Sequence, residues 1–266
     1  YTTNTSLMGG SARLTAASFN GAVLFEAVID EFEQVPYAVE YEPTIGRVWV
    51  SIGTRVVYCD ANTGAVLGSI DLLYSGNLYR GRGVHAAHGK VYVAAYRVVG
   101  FGDASGRLFE INPATFAVTR VTASVNIHFA NDVVSDGTNL YVVSRAGPGA
   151  GMYRVLMSSF VTSFVTLSGG DALSNPTWVT YLFDHLFVSE SNASNEPRFV
   201  KVTSAGAIVA ERVFDGTGTV GKPDADPWLL WVPNPGEGTV TMIRPIDLQA
   251  ITAVNVAGSP QAAKVV

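Results

Sequence analysis

Val48-Trp49-Val50, followed by Val56-Val57-Tyr58-Cys59-Asp60-Ala61-Asn62-Thr63-Gly64-Ala65-Val66-Leu67, is the stretch whose reading decides the fold. An apolar triplet with an aromatic centre comes first. A strand-like run follows, then a turn of residues that tolerate positive φ, then a second strand-like run. The triplet recurs as Val91-Tyr92-Val93, Leu140-Tyr141-Val142, Leu186-Phe187-Val188 and Leu230-Trp231-Val232, with central residues 43, 49, 46 and 44 positions apart. The strand–turn–strand element recurs behind each, over 108–117, 153–161, 199–207 and 240–250. A further copy runs from Ala12 to Ala16, turns at Ser18-Phe19-Asn20-Gly21 and continues from Ala22 to Phe25. Segments such as Ala207-Ile208-Val209-Ala210-Glu211-Arg212-Val213 alternate with period two, and no window of helical length sustains a period of 3.6.

A unit of about 45 residues holding four strands is the size of a propeller blade. Ahead of each aromatic strand lies a candidate innermost strand: Tyr37 to Tyr41, Gly83 to Ala86, Asn131 to Val134, Thr177 to Thr180 and a stretch from Lys222 to Asp226. A sixth candidate, Gln261 to Val266, ends the chain with nothing after it to pair with. The N-terminus has the complementary gap, with Ser6-Leu7-Met8 and two outer strands but no innermost one. The expectation is an all-β, six-bladed propeller of four-stranded antiparallel blades, one domain over residues 1–266. Its closing blade is shared between about 1–33 and 257–266, the C-terminal innermost strand pairing with N-terminal strands and removing two open sheet edges. Tyr1, in place of an initiator Met, is expected to be a processed end, an engineered boundary or a cut from a longer polypeptide.

Composition narrows the function classes. Of the 266 residues 48% are apolar and only 15% charged, against about 25% charged in a typical domain. The apolar fraction excludes disorder, and the single cysteine, Cys59, excludes a disulfide scaffold. A net charge of -5 argues against a nucleic-acid partner, and no apolar run reaches the length of a membrane helix. Cys59 lies on an apolar strand without a basic neighbour and reads as a buried, inert thiol. Of the four histidines, His85 falls on an innermost strand, His88 in the turn after it and His185 in a surface turn. Asp60, Asp136 and Asp215 read as turn residues, and there is no nucleophile elbow or phosphate loop.

The segment Ala130-Asn131-Asp132-Val133-Val134-Ser135-Asp136-Gly137-Thr138-Asn139-Leu140-Tyr141-Val142 resembles repeats of NHL-type and SMP-30/gluconolactonase-like propellers. The turn Cys59-Asp60-Ala61-Asn62-Thr63-Gly64-Ala65-Val66 is similar to YVTN-type repeats. The first resemblance implies one enzyme reading, a Ca²⁺-dependent lactonase or esterase. Asn131 and Asp132 match its metal motif, and Asn175, Asp224 and Asp226 could contribute. Arg82 and Lys222 near the same channel oppose a divalent cation.

The reading ranked first is a non-catalytic recognition or scaffold module with no cofactor. The long connections, 97–106, 145–151, 189–197 and 233–238, all follow the aromatic second strand and so fall on one face, where the innermost strands begin. Candidate ligand-face residues are Tyr37, Arg80, Arg82, His128, Asn131, Asp132, Asn175, Trp178 and Lys222. The expected partner is a protein or glycan, with no nucleic acid and no membrane insertion. The expected location is extracellular, cell-surface or virion rather than cytoplasmic, as a secreted protein or part of a larger assembly such as a phage virion appendage.

Overall fold

The computed structural model describes residues 2–5, 12–17, 23–30, 36–97, 105–122, 127–145, 149–170, 172–192, 194–215, 220–225, 228–234 and 238–255. They form antiparallel sheets in chain order. The first holds three strands, β1 (Thr2–Thr5), β2 (Ala12–Ala17) and β3 (Val23–Asp30). The second is β4 (Pro36–Glu42), β5 (Arg47–Ile52), β6 (Arg55–Asp60) and β7 (Val66–Asp71). The short β8 (Leu73–Tyr74) leads into β9 (Asn77–Ala87), β10 (Lys90–Arg97), β11 (Ser105–Asn112) and β12 (Ala117–Val121), with β13 (Ile127–His128) added on β11. The fourth is β14 (Ala130–Ser135), β15 (Asn139–Ser144), β16 (Gly151–Leu156) and β17 (Thr162–Val165). Then come β18 (Pro176–Leu182), β19 (His185–Ser191), β20 (Pro197–Thr203) and β21 (Ile208–Val213). The last is β22 (Asp224–Ala225), β23 (Leu230–Asn234), β24 (Thr239–Ile243) and β25 (Ala250–Asn255).

This is a propeller of antiparallel four-stranded blades. The described residues complete five blades rather than the expected six, because the N-terminal strands make a three-stranded sheet. The strand expected at 261–266 lies outside the described residues, as do Ser6 to Met8; the first described N-terminal strand is Thr2–Thr5 instead. Among the described residues no helix is long and apolar enough to cross a membrane.

Apolar cores lie between successive sheets, which explains the low charge. Leu14 and Ile29 meet Val48, Val50 and Val57; Trp49 and Val56 meet Val91, Val93 and Phe109; Tyr92 and Leu108 meet Leu140 and Val142. Val143 and Met152 meet Val188 and Val200, and Phe187 and Phe199 meet Leu230 and Val232. The aromatic centres Trp49, Tyr92, Tyr141 and Phe187 are among the largest fully buried side chains. Cys59 is buried as expected, and burial pushes its thiol up to about 12. Asp60 and Asp136 hold turns, each accepting two backbone N–H groups through Oδ1.

The outer hairpins modify the sequence rule that glycine supplies the left-handed turn residue. Gly64 does so with φ 72°, but Phe116 (57°), Phe160 (59°) and Leu248 (57°) occupy the corresponding place in other blades. Their side chains offset the backbone cost by packing on the adjacent blade. The Phe116 ring stacks on Tyr58 at 4.3 Å, Phe160 lies under the Arg120 guanidinium at 4.5 Å, and Leu248 is buried beside Phe187 and Phe199. At Gly64 the equivalent space is filled from the other side by Phe25, which a Cβ there would strike.

Gly83 serves a different end. A Cβ on it would collide with the Oδ1 and Cα of Asp132, so only glycine lets β9 approach β14 this closely. Gly83→Ala is expected to cost about 1–3 kcal/mol through overpacking. Urea unfolding should show this as a lowered midpoint at unchanged slope; an unshifted midpoint would mean that the strands can part freely.

Candidate functional site

The innermost strands carry a shared irregularity. In four consecutive blades the ladder to the second strand slips by one residue: between Pro36 and Ala38, Gly81 and Gly83, Ala130 and Asp132, and Pro176 and Trp178. A bulge of this kind leaves one residue unpaired and re-aims its side chain. The four extra residues are Tyr37, Arg82, Asn131 and Thr177, and they are joined around the ring. The Arg82 guanidinium lies over the Tyr37 ring at 3.9 Å, its Nε donates to Asn131 Oδ1 at 3.0 Å, and Asn131 Nδ2 donates to the Thr177 carbonyl. Ser51 Oγ adds a link by donating to the Arg82 carbonyl at 2.6 Å.

One residue further along β14 a polar side chain turns inward. The carboxylate of Asp132 is wholly buried. Its Oδ1 accepts from Lys222 Nζ at 2.8 Å and its Oδ2 from the Val179 N–H at 3.0 Å, while Lys222 Nζ also donates to the Val84 carbonyl at 3.3 Å. Four blades therefore meet at one ion pair. Burial raises the Asp132 carboxyl above its ordinary value, opposed by the Lys222 ammonium and the backbone N–H groups of Val179 and Val133. Trp178 is buried in the apolar cluster that holds Ala38 and Trp49. Asp132, Trp178 and Lys222, expected on a ligand face, thus lie within the ring and join its blades.

The remaining candidates gather where the innermost strands begin. Arg80 sits opposite Tyr96 across the β9–β10 ladder and reaches the side chains of Tyr96 and Tyr37. Asn175 accepts from Arg145 Nε at 3.2 Å and donates to Ser191 Oγ at 2.9 Å. His128 is half-buried on β13, across from Ser105, and its carbonyl accepts from Ser144 Oγ. His85 is on β9, with Nδ1 3.9 Å from Glu40 Oε1, and His88 is in the following turn, as expected. Glu40, His85, Thr180, Lys222 and Asp224 line a cavity of about 210 Å³.

Calcium asks for six to eight oxygen ligands. Here Asn131 Oδ1 is engaged by Arg82, both Asp132 oxygens accept hydrogen bonds, and an ammonium stands 2.8 Å from that carboxylate. Asn175 Oδ1 is engaged by Arg145, Asp224 lines the cavity beside Lys222, and Asp226 lies outside the described residues. As arranged, this donor set does not fit Ca²⁺, and no group of three or more potential His, Cys, Asp or Glu ligands occurs among the described residues.

Sequence reasoning passed over Tyr96 and Glu190, and met Arg145 only as the start of the 145–151 connection. Arg145 directly follows β15 and Tyr96 nearly ends β10, so both stand where second strands reach the loop face. The repeat register could have indicated that position. Glu190 carried a different signal, a charge among the apolar residues of an aromatic second strand. It is fully buried and paired to Arg198 Nε at 2.6 Å.

No protein family matches this sequence, and no curated relative does. Solved structures are similar in fold. A protein of unknown function from Bacteroides caccae superposes with a TM-score of 0.65 at 12% identity, over 94% of this chain and 96% of that one. A chain of a nidogen/laminin complex gives 0.67 at 9% identity, over 95% and 93%. BamB from Moraxella catarrhalis gives 0.54 at 17%, over 98% and 78%. At these identities the likeness is one of fold: the chain is a β-propeller, similar to these three in architecture.

Proposed function

We propose that this chain is a non-catalytic recognition or scaffold propeller that binds a protein partner through the face carrying Tyr37, Arg80, Arg82, Arg145 and Asn175. It works outside the cytoplasm, at a cell or virion surface or within a larger assembly. The observation that carries this reading is the bonding of the inner polar residues to one another. Asp132, Lys222, Asn131 and Thr177 are engaged in joining blades, which leaves recognition to the mouth above them. Similarity to a chain of the nidogen/laminin complex, itself a protein–protein complex, supports a protein rather than a glycan. The same reading includes one domain over residues 1–266 with a sixth blade closed by 257–266. β1 lies against β4 much as β5 lies against β9 and β10 against β14, which supports a second-strand place for β1.

Immobilised protein should capture its partner from the natural source, and Arg80→Glu with Arg145→Glu should abolish that capture. Arg13→Glu, on the N-terminal sheet, should preserve it; equal capture by both would remove the face assignment. The calcium-dependent lactonase or esterase reading is tested alongside. Millimolar Ca²⁺ and chelator should leave the melting temperature unchanged, with no lactone or ester turned over. A Ca²⁺-dependent rise abolished by Asp132→Ala would transfer the reading to that enzyme class.

A further inference from the structure

Three guanidiniums converge at the mouth of the ring in a protein whose net charge is -5. Arg80 and Arg82 both reach Tyr37, and Arg145 is close enough for its charge to act on Arg82. Burial and that like charge both pull the Arg82 guanidinium below its ordinary value. No carboxylate among the described residues forms an ion pair with any of the three. A half-buried cation beside like charge is costly unless an anion compensates it.

The donors are also prepared. Arg82 and Arg145 each commit Nε to an asparagine, Asn131 at 3.0 Å and Asn175 at 3.2 Å. That contact orients each guanidinium fork; the Arg82 fork also reaches the Tyr37 side chain, and Arg145 is exposed. Such a fork matches both oxygens of a carboxylate. The backbone behind it is held as well. The Arg145 N–H donates to the Phe129 carbonyl at 3.2 Å, and Phe129, at φ 47°, lies 5.3 Å from the Tyr96 ring.

We propose that this mouth is an anion site for a carboxylate presented by an acidic segment of the protein partner, with Arg82 and Arg145 as bidentate donors and Arg80 adding charge from the side. The proposal rests on the face assignment made above and names the chemistry that the face recognises.

The probe is a capped hexaglutamate peptide, with capped hexaglutamine as its neutral counterpart, measured by titration calorimetry. Hexaglutamate should bind and hexaglutamine should not, and added salt should weaken the binding. Arg145→Gln and Arg82→Gln should each weaken it by about tenfold or more. Arg145 is exposed, so its variant tests the site even if Arg82→Gln perturbs folding. The proposal is overturned if both peptides bind alike, if neither variant changes the affinity, or if a uronate oligosaccharide binds where hexaglutamate does not. Capture of a natural partner that survives alongside such a result would leave the face assignment standing and remove only the carboxylate.

Discussion

Lys222→Met is expected to lower stability by about 3–5 kcal/mol at neutral pH, the cost of leaving one member of a buried ion pair alone. Lys222 reaches Asp132 from a different blade and also donates to the Val84 carbonyl, so the substitution strands a wholly buried carboxylate and opens one backbone acceptor. The pH dependence follows from the direction of the shift. Burial already raises the Asp132 carboxyl, and without the ammonium it rises further. A carboxyl whose folded value exceeds its unfolded one favours folding while protonated. That contribution is full below the unfolded value, roughly pH 4, and is lost as pH climbs through the folded value. Lys222→Met should therefore be more stable near pH 5 than near pH 7, by more than any such gain in the parent protein. Adding Asp132→Asn should restore part of the loss at pH 7 by removing the stranded charge. Urea unfolding of the parent, Lys222→Met and the double variant at both pH values measures these effects. A single variant within about 1 kcal/mol of the parent at pH 7 would show that the pair does not hold the ring.

The architecture was legible because it rests on periodic features. Strand alternation, hairpin residues and the spacing of Trp49, Tyr92, Tyr141, Phe187 and Trp231 each repeat, and the structure places these five on second strands, four of them deeply buried. The blade count was less legible, since it depended on pairing two chain ends, and the described residues complete five blades. The inner polar residues were found by position but assigned the wrong surroundings. Asn131 and Asp132 read alike as metal-type donors. A one-residue bulge separates their fates, sending Asn131 into the belt with Arg82 and Asp132 into the ion pair with Lys222. A bulge has no composition signature at these positions: Tyr37, Arg82, Asn131 and Thr177 share no chemistry, only a place in the ladder. The partners lie far off in sequence, Lys222 being 90 residues from Asp132. Pairings of that kind follow from how the inner strands of different blades are set against one another rather than from any local pattern.

The second large effect is expected at Glu190 and Arg198, where the ion pair lies within one blade. Neither side chain is more than 4% exposed, and their atoms approach to 2.6 Å. Burial raises the Glu190 carboxyl, opposed by Arg198 and by the backbone N–H groups of Ser174 and Asn175. The two members differ in what each retains. Glu190→Gln leaves Arg198 a partial substitute in Glu211, 3.3 Å away, whereas Arg198→Met leaves a fully buried carboxylate with only backbone donors. Arg198→Met should therefore cost more, about 3–5 kcal/mol, and Glu190→Gln less. Glu190→Gln has a consequence that stability alone would not show. Glu190 Oε2 accepts from the N–H of Ser174 at 2.8 Å and of Asn175 at 3.4 Å, and Asn175 in turn orients Arg145. Amide exchange at Ser174 and Asn175 should accelerate, and hexaglutamate binding should weaken although Glu190 touches no ligand. Unchanged exchange at those two amides, together with parental affinity, would show that Arg145 is held without this buried pair.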